Sequence, residues 1–159
     1  MDGRAVAEVE LDVETILSAA QGHLAQRHVC TFATSVDDVP WAASAFYVAR
    51  ALDVYTCQRK DARTLAQMLA NPRVSFAVDD RKAEAWLQAL GTARPARPEE
   101  DTWAREALRA TAPEFTRHFA NPDYPVLVVS VDEFTFIDRA AGIVPRQHLI
   151  LSEVGWRFA

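Results

Sequence analysis

The sequence predicts a mainly β fold, a small antiparallel barrel with helices packed outside it. Three observations point there. Six stretches rich in β-branched and aromatic residues follow one another, joined by short polar turns. The early stretches succeed each other without a helix between each pair, which argues against a doubly wound sheet. Amphipathic helical segments stand before, between and after them. The 159 residues read as one domain, 1–159, with 1–10 as a flexible arm and about 140–159 as a C-terminal extension. A chain of that length buries about 68–70% of its unfolded surface, enough for a full core.

Asp12 offers an N-cap, and Val13, Ile16, Leu17, Ala20 and Leu24 keep helical spacing to about Arg27. Val29–Val36 and Trp41–Arg50 read as strands around the turn Asp37-Asp-Val-Pro40, and Leu52–Cys57 as a third strand. Arg73–Val78 and about Ala83 to Ala93 are strands separated by Asp79-Asp-Arg-Lys82. On the longer one, Trp86, Gln88, Leu90 and Thr92 share one face, Leu87, Ala89, Gly91 and Ala93 the other. Periodicity alone does not say which face is core. Pro98-Glu-Glu-Asp101 suits a helix N-terminus, with Trp103, Ala107 and Leu108 as its apolar stripe. A short helical piece carries Phe115 and Phe119. Tyr124–Val131 is a strong strand that Phe134–Ile137 extends or pairs with, and beyond Gly142 the pattern weakens.

Between the third strand and Pro72 lies a basic turn followed by a short helix. Asp61 is the expected N-cap, Leu65, Met68 and Leu69 the apolar face, and Asn71-Pro72 the stop. Arg59, Lys60 and Arg63 gather at the helix start, where unpaired N–H groups favour an anion. In a chain of net charge −5 this is a local exception, and it suits a phosphate.

Other chemistries find less support. The net negative charge argues against nucleic-acid or anionic-membrane binding. His23, His28, His118 and His148 form no metal-ligand spacing, and Cys30 and Cys57 read as buried free thiols of a reducing cytosol. No GxSxG, GxGxxG or GxxxxGK[ST] motif occurs. No export signal and no membrane-spanning run is visible, so a cytoplasmic location is expected.

Three segments carry a resemblance. Phe32-Ala-Thr-Ser-Val-Asp-Asp-Val-Pro-Trp-Ala-Ala-Ser-Ala-Phe46 resembles the L-A-T-x-x-x-D-G-x-P hairpin of the pyridoxamine 5′-phosphate oxidase-like, FMN-binding split barrels. Val54-Tyr-Thr56, the basic turn and Leu65 to Val74 are similar to that family's y-f-x-T…K-x-x-N-L…N-P-x-V segment. Leu87-Gln-Ala-Leu-Gly-Thr-Ala93 is similar to its l-Q-x-x-G-x-A strand. The three follow in family order across about residues 13–137.

The resemblance implies a six-stranded antiparallel split barrel, a homodimer, with FMN in a groove at the subunit interface. Ser44, Ala45 and Phe46 would run along the flavin ring, and Tyr55 and Thr56 near the ribityl chain and phosphate. Arg63 matches the phosphate-binding position, with Lys60 and Thr64 beside it, and Gln88 the glutamine of the long strand. Asp38-Val39 departs from the family's Asp-Gly, so another or a longer turn is expected there. The C-terminal Trp and Arg segment that serves pyridoxal phosphate is not recognisable in residues 142–159, so the vitamin B6 reaction is not assigned. The expected function is an FMN-dependent oxidoreductase of unknown substrate, with no residue assigned as catalytic. The alternatives are a module of the same fold that carries flavin, deazaflavin or haem, with His28, His118 or His148 as axial candidates, and a ligand-free interaction protein.

Overall fold

The computed structural model describes residues 11–159; the arm expected over 1–10 lies outside the described residues. Among these residues nine strands form one antiparallel sheet curled into a split barrel: β1 (Val29–Val36), β2 (Val39–Phe46), β3 (Val48–Arg50), β4 (Asp53–Cys57), β5 (Arg73–Asp80), β6 (Ala85–Pro95), β7 (Val126–Asp138), β8 (Ile143–Ser152) and β9 (Gly155–Phe158). Their order is β2-β1-β5-β6-β7-β4-β3, with β8 on β7 and β9 on β8. The helices are α1 (Val13–Ala25), α2 (Arg63–Ala70), α3 (Pro98–Thr111) and the short α4 (Thr116–Ala120), which follows a 3₁₀ turn at Pro113–Phe115.

Nine strands replace the expected six for two reasons. The second stretch breaks at Tyr47, whose hydroxyl donates to the Leu24 carbonyl at 2.8 Å and whose N–H donates to His28. That anchor ends pairing with β1, and the chain restarts as β3 against β4. The C-terminal extension forms a hairpin: β8 pairs with β7 from Glu133 to Asp138, and Trp156 on β9 packs edge-on against Phe134 at 5.2 Å. Its alternation is masked because most of β8 is solvent-facing. One flank of β7 carries β6; the other carries β4 near Val126–Val129 and β8 further on.

Strand alternation divides the interior into two cores. Val54, Leu87, Ala89, Ala93, Leu127, Val129 and Val131 point into the barrel with the apolar face of α1. Tyr55, Cys57, Val126 and Val128 point outward, beneath Ala104 and Leu108 of α3 and Phe119 of α4. The ambiguous long strand β6 therefore buries its Leu87 face, and at Gly91 a side chain would collide with the Ser130 carbonyl of β7.

The β1–β2 turn corrects an expectation. Val36 pairs with Val39, so the loop has two residues, and both Asp37 (φ 52°) and Asp38 (φ 60°) are left-handed. This is the tight primed turn that Asp-Gly makes, because aspartate tolerates the left-handed region better than most side chains. Asp38→Gly should raise stability by about 0.5–1 kcal/mol, read as a higher urea midpoint at unchanged slope.

Helix α1 starts as expected, with Asp12 accepting the Thr15 N–H at 2.7 Å. Its buried face also contains His23, 3% exposed, whose Nε2 lies 2.9 Å from the Val78 carbonyl while Nδ1 has no partner among the described residues. Nε2 therefore carries the proton. Burial pushes the imidazolium pKa down, reinforced by Arg27 and opposed by the Val78 bond, Asp138 and Asp80. The unfolded chain, titrating near pH 6.5, binds a proton there that the folded chain resists. Stability should thus fall as pH drops below about 6.5, and urea midpoints of His23→Gln should fall less over the same range.

Helix α2 departs in detail. Asp61 is not its cap: Ala62 takes that place with no side-chain bond, and Asp61 instead accepts two hydrogen bonds from Arg59, at 3.0 and 2.8 Å. The helix buries Thr64, Leu65, Gln67 and Met68, leaving Leu69 60% exposed, because Thr34 of β1 donates to Gln67 and draws that side inward.

Candidate functional site

Strand β2 is a sheet edge whose residues are largely exposed. Beside it, between the end of β4, the start of α2 and the Pro113–Ala120 segment, lies a groove of about 430 Å³, within the range of small-molecule sites. Small side chains make the groove: Ala43, Ser44 and Ala45 line its β2 wall.

The two ends differ chemically. Toward α2 stand Trp41, Gln58, Arg59, Ala62, Arg63 and Thr64. The Arg63 guanidinium lies over the Trp41 ring, 4.6 Å from its centroid. Arg59 is occupied by Asp61 at 2.8 Å, and Lys60 reaches Asp123 at 3.9 Å. Arg63 has no acidic partner among the described residues, so of the three cations it is the one free to meet an anion. Toward the other end stand Phe46, Phe115, Phe119, His118 and Cys57. Phe46 packs on Phe115 at 4.8 Å and edge-on to Phe119 at 6.1 Å.

That aromatic wall is held from behind. Arg105 of α3 donates to the carbonyls of Phe119 (2.7 Å), Asn121 (3.0 Å) and Tyr124 (2.6 Å), and pairs with Asp101 at 2.6 Å. His118 Nε2 lies 3.0 Å from the Cys57 carbonyl. Burial pushes the Cys57 thiol up to about 11, against the pull of Arg105, so it is a packed thiol and not a thiolate. Cys30 is likewise buried and free.

Of the residues singled out from sequence, Ser44, Ala45, Phe46, Arg63 and Thr64 line this one groove. Thr56 supports it from beneath: its hydroxyl donates to the Phe46 carbonyl at 3.0 Å and accepts from Gln58 at 2.9 Å. Tyr55 points the other way, under α3, edge-on to Trp103 at 4.9 Å. Lys60 lies outside the lining, and Gln88 opens onto the outer sheet face beside Thr31, Ser75 and Ala77. His28 and His148 are not in the lining, and His148 bonds Glu133 at 2.8 Å. Sequence reasoning did not place Gln58, Phe115 or Phe119 in the site, and it named His118 only as an axial candidate for haem. Gln58 follows the strand that was recognised, but no local spacing signals that residues 113–120 return to it.

Comparison with known proteins agrees with this architecture. The family model described as pyridoxamine 5′-phosphate oxidase matches residues 16–138. No curated protein matches the sequence. Among solved structures, a heme binding protein from Mycobacterium smegmatis superposes with TM-score 0.72 at 19% identity, over 89% of this chain and 60% of that one. A FAD-binding protein from Mesorhizobium loti gives 0.62 at 15%, over 79% and 94%. General stress protein 26 from Bacillus anthracis gives 0.64 at 15%, over 76% and 93%. Identities this low speak for the fold alone; the family match spans most of the chain and carries further. The chain belongs to the pyridoxamine 5′-phosphate oxidase family of split-barrel proteins.

Proposed function

We propose that the protein binds FMN in the groove beside β2 and works as a flavin-dependent oxidoreductase. The observation that carries this is Arg63: a guanidinium without an acidic partner among the described residues, at a helix start, opening one end of an apolar-walled groove. A phosphate dianion suits that end, where Arg63 offers a charged fork and Thr64 a hydroxyl. A planar ring suits the rest, where Ala43 and Ala45 leave room and Phe46 and Phe119 keep water out. Bound flavin would itself exchange hydride or electrons, so the chain's part is to hold, orient and desolvate.

The reading includes a second copy of the chain. Strand β2 ends the sheet with Val39 49% and Trp41 38% exposed, an unpaired apolar edge of the kind that association covers. Gln88 faces away from the groove, so any part it plays in holding FMN would be across such an interface. Among the described residues no helix is long and apolar enough to cross a membrane, and two buried free thiols suit the cytoplasm.

Haem is the second reading, favoured by His118: a ring fixed through Nε2 to a backbone carbonyl has its other nitrogen left for a metal. That nitrogen is Nδ1, crowded by its own Cβ, which ranks haem below flavin. Titration of the purified chain with FMN and with hemin separates them. Saturable quenching of flavin fluorescence is expected; a Soret band that His118→Ala abolishes, with FMN ignored, would overturn the flavin assignment. Turnover with reduced nicotinamide and an electron acceptor then tests the enzymatic part.

A further inference from the structure

We propose that Trp41 is the positioning residue of the phosphate end of the groove, aligning Arg63 and fixing the Thr64 hydroxyl as a donor; this rests on the FMN reading above. The two contacts come from one side chain. Its ring face carries the Arg63 guanidinium at 4.6 Å, and its indole Nε1 lies 3.3 Å from Thr64 Oγ1. A guanidinium on an exposed helix start samples many rotamers; stacked on an indole face it is restrained by quadrupole attraction and by the planar fit.

The hydrogen bond decides the direction of a proton. An indole N–H only donates, so the Thr64 oxygen must accept it. The hydroxyl hydrogen then needs a different acceptor, and none is present among the described residues, although Thr64 is only 5% exposed and lines the groove. Trp41 thus turns Thr64 from a group able to donate or accept into one set to donate. A phosphate oxygen only accepts. The same contacts tie the edge strand β2 to α2, so the cation and the hydroxyl keep a fixed spacing.

The test compares dissociation constants for FMN and for riboflavin, which has the ring but no phosphate, on the full chain. Trp41→Phe keeps a ring face under Arg63 and loses the N–H; FMN binding should weaken about two- to fivefold. Trp41→Leu loses both contacts and should weaken it about five- to twentyfold, with riboflavin held within about twofold. Thr64→Val should cost less in the Trp41→Phe background than in the wild type, because both changes break one bond. Equal losses for both flavins, unchanged FMN binding in Trp41→Leu, or additive losses with Thr64→Val would overturn the proposal. Should Trp41→Leu not fold, Trp41→Phe and the coupling to Thr64 still decide it. A wild type that binds riboflavin as tightly as FMN removes instead the phosphate assignment beneath it, a distinguishable result.

Discussion

Arg105→Ala is expected to destabilise the protein by about 2–4 kcal/mol, a loss of roughly 5–15 °C in the melting midpoint. The side chain is 14% exposed and serves three carbonyls, those of Phe119, Asn121 and Tyr124, besides Asp101. Removing it leaves the Phe119 carbonyl and a half-buried carboxylate without that donor, while the Asn121 carbonyl keeps the Tyr124 N–H at 3.1 Å and that of Tyr124 keeps the Cys57 thiol at 3.6 Å. The lower bound reflects Asp101, 34% exposed, which water rescues in part. Lysine at this position is a point charge that reaches one carbonyl and should recover less than half. Flavin affinity should fall with stability, because the loosened stretch is the one that carries Phe115, His118 and Phe119 into the groove. A melt unchanged by Arg105→Ala would show that the wall is held by apolar packing alone.

Arg63→Ala should weaken FMN binding about ten- to a hundredfold, the cost of one charge-assisted contact of roughly 1.5–3 kcal/mol. Riboflavin should be nearly indifferent. Arg59→Ala and Lys60→Ala should each matter much less, since Arg59 is bound to Asp61 and Lys60 lies toward Asp123, outside the lining. Arg63→Lys should recover part of the loss, keeping charge but not the fork. An FMN titration identical to wild type in Arg63→Ala would move the phosphate elsewhere.

Much of this was legible in the sequence where the determinants are local. The Asp12 cap, the Ile16–Leu24 spacing and the β-branched run of Val29–Val36 are read within a few residues, and the structure follows them. The three segments Phe32–Phe46, Val54–Val74 and Leu87–Ala93 identified the family because their order and separation survive without the fold. What was not legible depends on distant partners. Asp61 looks like a cap until Arg59 folds back on it. Leu69 looks buried until the Thr34–Gln67 bond sets the rotation of α2. Tyr55 and Thr56 are neighbours, yet pleating sends one to α3 and the other beneath the groove. The C-terminal hairpin lacks clean alternation because solvent covers most of β8. The aromatic wall is set by Arg105, and no spacing rule predicts which carbonyls a buried arginine will gather.

The central place of β7 also has a consequence in time. Val54 of β4 finds its partner in Val129, so the β3–β4 hairpin leaves the ribosome long before the strand that completes it. At about 5–20 residues per second that interval is roughly 4–15 s. Throughout it the edge of β4 lacks the strand it pairs with, and the barrel cannot close until Val126–Val129 of β7 have emerged. The chain is therefore most exposed to misassociation while it is being made, and slowing its synthesis lengthens that exposure.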